Sequence, residues 1–228
     1  MMKYLILSKN YIIVHQTMKI FDPEKLIPDH ECLIKVVASH PFDNSLVTKI
    51  SQINIRLSEN YIAEGFYIAH EDIETDVDKG IVILGVGRYT HLKLDYNSIL
   101  YHEFGHVADR MDANFQYSED LKNELSDSGK TCVMELWNVY INSRLNAVGL
   151  YMTSGSDCCG ILNGEEHVFP GTIEGDLMAH MSNLEGAGFS YKLAKELIEN
   201  IWKYPNEPLT YPMMITKVKT GLANNLPE

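Results

Sequence analysis

The sequence predicts an α+β protein, in which a small mixed sheet near the N-terminus precedes a mainly helical part. Short runs of β-branched and aromatic residues occur within the first ~90 residues, whereas apolar residues at helical spacing dominate the rest of the chain. Strands are predicted at residues 4–7, 11–14, 61–69 and 81–86. Helices are predicted at residues 95–112, 131–150, 172–183 and 191–202.

Three further segments are assigned from local composition. Asp43 or Asn44 can cap a helix over residues 45–57, which carry several apolar side chains. Residues 70–78 are acidic, and residues 154–171 are rich in Gly, Asp and Glu. Both of these segments are expected to form loops.

The local composition of the segments also predicts the domain organisation. Residues 114–130 are polar and predict a loop with a short helix, and three prolines within residues 205–212 predict an irregular tail. No segment has the composition of a linker between independent domains. We therefore expect a single domain over residues 1–228, with a sheet-containing part at residues 1–112 and a mainly helical part at residues 113–228.

Composition and charge limit the possible partners. Of the 228 residues, 45% are hydrophobic, which is enough for a substantial core. The chain has 19 Lys and Arg residues against 31 Asp and Glu residues, a net charge of −12. Nucleic acids and anionic membranes both select for an excess of Lys and Arg, so this charge disfavours them as partners.

The N-terminus and the cysteines indicate the compartment. A Ser-Lys-Asn sequence at residues 8–10 interrupts the apolar clusters that a signal peptide would need, and no apolar run approaches ~18 residues. Cys32, Cys132, Cys158 and Cys159 lack the paired spacing of a structural zinc site and are too sparse for a disulfide scaffold. We expect a soluble, cytoplasmic protein with buried free thiols.

The motif HExxH carries the strongest chemical information in the sequence, and it lies at residues 102–106. His102 and His106 are four residues apart, so on a helix both imidazoles lie on one face and can bind one metal ion. Glu103 then lies beside the open metal position, where it can move a proton from the attacking water to a leaving amine. A chain of this composition would contain the motif by chance only about 0.03 times.

The predicted helix that carries the motif also has a core-facing stripe. The stripe consists of Leu100, Phe104, Val107 and Met111. Because the three motif residues fall on a different face, we expect them to lie together and away from the core.

A metallohydrolase site needs a third ligand, and Glu135 is the first candidate. It lies in the predicted helix at residues 131–150, which has its own apolar stripe. Glu135, Asn138 and Asn142 form a separate polar stripe on that helix. The metal and its histidines would give this stripe a polar partner, and the alternative is that the stripe faces solvent.

Asp112 is the second candidate for the third ligand. Ligands at this spacing occur where the helix breaks at a Gly three residues after the second His, but Asp109 occupies that position. Along a continuous helix, Asp112 would lie about 15 Å from His102. We therefore favour Glu135. Asp109 is expected either to accept the ring N–H of a liganding histidine or to lie at the surface.

With HEFGH on one helix and ELWNVYINSRL on a second, the chain resembles the gluzincin branch of the zincin metallopeptidases. The resemblance covers residues 62–150, including the order helix, strand, strand, active-site helix, and it implies a zincin-like fold. It also implies that His102, His106 and Glu135 bind one Zn²⁺ per chain, with Glu103 as the general base.

The resemblance has a further implication for substrate binding. In the zincin fold, the strand before the active-site helix is the sheet edge that pairs with an extended peptide. The strand at Ile81–Val86 would take this role. The chain departs from many gluzincins at Val139, where they have an Asp.

The function that the resemblance implies is a zinc-dependent metallopeptidase, which hydrolyses a peptide or protein substrate through zinc-activated water. One alternative is a zincin-fold binding or regulatory protein that holds zinc with little or no proteolysis. Another is a metal-free structural module in which the motif is a coincidence. In the peptidase, four side chains are candidates for stabilising an oxyanion, namely His167, His180, Tyr140 and Tyr151.

Overall fold

The computed structural model describes residues 7–8, 11–12, 18–27, 30–57, 74–86, 96–153 and 158–223. Within these residues the protein is α+β, with eight helices, a four-stranded mixed sheet and two two-stranded sheets. Its contacts divide the chain into two compact units, Met1–Met111 and Asp112–Glu228. This boundary lies one residue from the division between the two parts expected from the sequence.

The first unit contains the four-stranded sheet. Its helices are α1 (His30–Ala38), α2 (Leu46–Lys49) and α3 (Tyr96–Arg110), and its strands are β1 (Leu7–Ser8), β2 (Tyr11–Ile12), β3 (Lys19–Phe21), β4 (Gln52–Leu57), β5 (Glu74–Asp76) and β6 (Ile81–Val86). β1 and β2 pair in an antiparallel two-stranded sheet. The larger sheet has the order β3-β4-β6-β5, with β5 antiparallel to β6 and the other neighbours parallel.

The core of the first unit lies between this sheet and the helices. Alternate residues of the two central strands are buried, namely Ile53 and Ile55 on β4 and Val82 and Leu84 on β6. They belong to the same apolar cluster as side chains of α1 and α3. Full burial of such a side chain contributes roughly 1.5–3 kcal/mol, so this cluster fixes α3 against the sheet.

A buried carboxylate organises the segment that leads into α1. Both oxygens of Asp22 accept backbone hydrogen bonds, from Leu26 at 2.9 Å and from Ile27 at 3.0 Å. The ring of His30 lies 3.0 Å from the same carboxylate. Burial alone would raise the pKa of Asp22, but the hydrogen bonds from His30 and the two backbone amides outweigh it, and the pKa lies below its usual value.

We expect Asp22→Asn to lower the free energy of unfolding by roughly 1–2 kcal/mol at pH 7, because the amide cannot replace every contact of the carboxylate. Since the pKa of Asp22 is lowered in the folded state, its contribution is complete above about pH 5 and is lost as the pH falls further. Urea unfolding at pH 7 and pH 3 measures the difference, which should shrink at pH 3. The exposed neighbour Glu24, changed to Gln, is the control.

The second unit is built around one long helix. Its elements are α4 (Glu119–Asn123), α5 (Asp127–Ala147), β7 (Cys158–Leu162), β8 (Glu165–Phe169), α6 (Ile173–Gly186), α7 (Tyr191–Lys203) and α8 (Tyr211–Ala223). α5 packs against α6, α7 and α8. Hydroxyl groups of Ser126 and Thr172 cap the N-termini of α5 and α6. None of the helices in the described part of the chain is long and apolar enough to span a membrane.

The strand and helix predictions were wrong at several places. Residues 45–57 form α2 followed by β4, because the alternation of Ile53 and Ile55 suits a strand and not a helix. The expected loop at residues 70–78 contains β5. The expected tail contains α8, where Pro212 lies in the first turn and its missing N–H costs no helical hydrogen bond.

The expected loop at residues 154–171 also proved wrong, because it contains the hairpin of β7 and β8. Asn163 and Gly164 connect the two strands, and both have positive φ, of 53° and 76°. This is the backbone of a two-residue hairpin turn, for which Asn-Gly is the preferred sequence. The predicted strand at residues 61–69 lies outside the described residues, as do parts of the predicted strands at residues 4–7 and 11–14.

The sheet order also corrects the expected substrate edge. β6 lies between β4, which pairs along its whole length, and β5, which pairs with Ile81–Ile83 on its other side. Within the described residues the edges of this sheet are β3 and β5. The prediction that Ile81–Val86 is an open edge is therefore wrong for Ile81–Ile83.

The cysteines differ in exposure, contrary to the expectation that all are buried. Cys132 is buried in α5, Cys32 is partly buried, and Cys159 is exposed on β7. Burial, and after it the charge of Glu135, raises the pKa of the Cys132 thiol to about 12.

We expect Cys132 to resist alkylation by iodoacetamide at pH 8 in the folded protein, since only about 10⁻⁴ of a thiol with that pKa is thiolate. Cys159 should be modified within minutes under the same conditions, because it is exposed. Mass spectrometry of the digested protein measures both, and the control is alkylation in urea, where both thiols should react. Equal rates in the folded protein would contradict the prediction.

Candidate metal centre

α3 holds the HExxH motif, and its core-facing stripe is confirmed. Leu100, Phe104 and Val107 are fully buried, and Met111 is a partly buried neighbour of the same cluster. These side chains fix the rotation of α3 about its axis, and therefore the direction in which residues 102–106 project.

α1 and the residue pair that follows it anchor α3 next to the motif. Nε2 of the buried His40 donates a hydrogen bond to the backbone carbonyl of Tyr101 at 2.9 Å. The hydroxyls of Ser39 and Tyr101 lie 3.0 Å apart. One turn earlier on α3, the side chain of Asn97 accepts a hydrogen bond from the thiol of Cys32 at 2.5 Å. α3 is thus held by specific polar contacts immediately before His102.

The spacing of the two histidine rings fits a shared zinc ion. The ring centroids of His102 and His106 lie 5.1 Å apart, with 69° between the ring planes. An imidazole bound at about 2.1 Å places its centroid about 3.2 Å from zinc, so two such rings at a tetrahedral angle lie about 5.2 Å apart. The observed separation matches this value, and imidazole nitrogens are common zinc ligands.

The surroundings of the motif differ from the expectation. Glu103 and His106 are each only 1% exposed, and Asp109 is buried as well, whereas His102 is half-buried. The sequence predicted that His102, Glu103 and His106 lie away from the apolar core, but not that two of them are buried; α3 is thus covered on more than its apolar face. The burial of Asp109 also excludes its interpretation as a surface acid.

Glu135 lies in the second unit, on α5, where side chains of α6 hold both of its carboxylate oxygens. Nδ1 of His180 lies 2.5 Å from Oε2, and Nδ2 of Asn183 donates to Oε1 at 3.0 Å. Asn138 and Asn142 of the same polar stripe are buried. The alternative that this stripe faces solvent is therefore wrong. Asn183 was not among the residues predicted from the sequence, although residues 180 and 183 share one face of a predicted helix.

Asp112 lies just after α3, which ends at Arg110. The helix therefore ends earlier than residue 112, contrary to the prediction from the sequence. Asp112 is exposed, and its Oδ1 accepts hydrogen bonds from the backbone and the side chain of Asn114, at 2.9 and 3.0 Å. This carboxylate organises the turn that leaves α3.

The remaining oxyanion candidates occupy separate places in the second unit. The Tyr140 hydroxyl accepts a hydrogen bond from the amide of Leu209 at 3.4 Å. The Tyr151 hydroxyl donates to Asp176 at 2.5 Å, and burial, followed by this contact, raises the pKa of Tyr151. His167 lies on β8 and not in the loop predicted from the sequence.

Comparisons with known proteins identified no relative of this chain. No family model, no curated protein and no solved structure matches the chain. Among the residues that the structure describes, no group of three or more His, Cys, Asp and Glu side chains is arranged to hold a metal ion. The zinc ion and its third ligand therefore stay predictions, which depend on the motif and on the geometry of α3.

Proposed function

We propose that this protein is a zinc-dependent metallopeptidase with a zincin-like fold. The observation that carries the proposal is the motif on α3, where His102 and His106 have the ring spacing of two ligands of one ion. The buried Glu103 lies between them in sequence.

In this proposal the imidazoles of His102 and His106 bind the zinc ion, and the carboxylate of Glu135 is the third ligand. Two imidazoles and one carboxylate are an established ligand set for catalytic zinc. Zinc, when bound, polarises a carbonyl group and lowers the pKa of water.

Glu103 acts as the general base and then as the general acid. Its carboxylate accepts a proton from the attacking water and passes it to the amine that leaves. Because Glu103 is almost completely excluded from solvent, its charge interacts with reacting groups in a medium of low dielectric constant, where electrostatic effects are larger than in water.

The substrate in this proposal is a peptide or a protein, and the location is the cytoplasm. The free thiols of Cys32, Cys132 and Cys159 fit a reducing compartment. The net charge of −12 favours solubility and disfavours anionic polymers as substrates.

Metal analysis and a cleavage assay test this function together. We expect one zinc per chain after expression in zinc-supplemented medium, and cleavage of a peptide library that stops with a chelator and returns with added zinc. Zinc binding without cleavage would favour the binding or regulatory alternative. No bound metal, even after zinc is titrated back, would favour a structural module and would contradict the proposal.

A further inference from the structure

α6 presents two hydrogen-bond donors to the carboxylate of Glu135. The Glu135 side chain is 14% exposed, and each of its oxygens has a separate partner, His180 at 2.5 Å and Asn183 at 3.0 Å. These partners lie 45 and 48 residues away in the sequence. The contacts therefore come from the folding of α6 onto α5 and not from local chain geometry.

The two contacts fix the orientation of the carboxylate. His180 and Asn183 are three residues apart, so they lie on one face of α6 and approach the two oxygens from one side. A carboxylate only accepts hydrogen bonds, so Nδ1 of His180 carries the proton. Its two oxygens offer about four acceptor positions, so two donors leave capacity for a metal ion.

We infer that His180 and Asn183 are positioning residues, which hold the Glu135 carboxylate in the orientation that binds zinc. This inference rests on the proposed function, in which Glu135 is the third ligand. Metal-ligating carboxylates are in general hydrogen-bonded by neighbouring groups, and loss of such a partner weakens metal binding by about 10–100-fold. His180 thus acts through Glu135 and needs no contact with substrate.

The test is the zinc affinity of purified variants, measured by competition with a fluorescent chelator. His180→Ala should weaken zinc binding by about 10–100-fold. His180→Asn should bind within about threefold of wild type, because its amide nitrogen can donate from nearly the position of Nδ1. Asn183→Ala, which removes the longer contact, should weaken binding less than His180→Ala does, and it replaces that variant if His180→Ala does not fold.

A matched control separates positioning from a general effect on α6. Ser182 lies on the same helix and donates a hydrogen bond to the carbonyl of Ile161 on β7. Ser182→Ala removes one contact of α6 without touching Glu135, so its zinc affinity should equal that of wild type. The unfolding midpoint of each metal-free variant shows how much stability is lost, and the absorption spectrum of the cobalt-substituted protein reports changes in ligand geometry.

The outcomes distinguish this inference from the proposed function. Wild-type affinity in His180→Ala, with zinc lost in Glu135→Ala, would overturn the inference and leave the proposed function in place. Equal losses of affinity in His180→Ala and Ser182→Ala, or no recovery in His180→Asn, would also overturn it. If the wild-type protein binds no zinc, both the proposed function and the inference are wrong.

Discussion

Glu103→Gln is expected to lower peptide hydrolysis by ~10²-fold or more while zinc remains bound. Glutamine has nearly the size of glutamate and keeps one acceptor oxygen, but its amide cannot accept the proton of the attacking water. Glu103 is almost fully buried, so no bulk water can easily replace its carboxylate as the base. The measurement is kcat for a cleaved peptide, together with the zinc content of the same preparation.

The fold of this variant needs a separate check, because the substitution changes a buried carboxyl group to an amide. Thermal unfolding of the metal-free protein shows whether the variant is folded at the assay temperature. Glu196→Gln, at an exposed position of α7, is the matched control and should cleave like wild type. Cleavage by Glu103→Gln at nearly the wild-type rate would contradict the assignment of the general base.

α3 could be predicted from the sequence because its pattern is local. Leu100, Phe104 and Val107 follow helical spacing, and the structure buries all three on one side of α3. The relation of His102 to His106 also depends only on helix geometry, which is the same in every protein. The structure has both features. The predicted end of the helix differs, because α3 ends at Arg110 and not at residue 112.

The sheet was harder to predict, since strand pairing joins segments that are distant in sequence. β6 has the composition of a strand, but nothing in residues 81–86 indicates that β5 pairs with its second side. The β7–β8 hairpin could have been predicted, because Asn163-Gly164 is a strong turn sequence. It was missed because the acidic residues around it favoured a loop.

The surroundings of the candidate ligands depend on tertiary packing, which the sequence does not display. The pattern of α3 shows one apolar face, whereas the burial of Glu103 and Asp109 requires that a polar face is covered as well. The contacts of Glu135 with His180 and Asn183 arise between helices 45 or more residues apart. Helical spacing alone places His180 and Asn183 on one face of α6, but it cannot identify the residue that this face contacts.

Glu135→Ala is expected to weaken zinc binding by more than about 100-fold, because even the partners of a ligand are worth about 10–100-fold. Zinc at 1,000 times its Kd adds about 4.1 kcal/mol to the free energy of unfolding, and a 100-fold weaker affinity would leave at most about 1.4 kcal/mol of this increment in the variant. The metal-free variant should also lose stability, by about 1 kcal/mol, because the partly buried His180 and the exposed Asn183 lose their acceptor. The diagnostic quantity is therefore the shift of the unfolding midpoint on adding zinc, and not the midpoint itself.

Asp112→Ala tests the alternative third ligand in the same experiment. Its carboxylate is exposed and accepts two hydrogen bonds from Asn114, so the variant should lose about 1 kcal/mol of stability through the turn. Its zinc affinity and its zinc-dependent shift should equal those of wild type. The reverse pattern, with zinc lost in Asp112→Ala and kept in Glu135→Ala, would assign the third ligand to the residue just after α3. That result is physically possible because α3 ends at Arg110, so the helix itself does not hold Asp112 about 15 Å from His102.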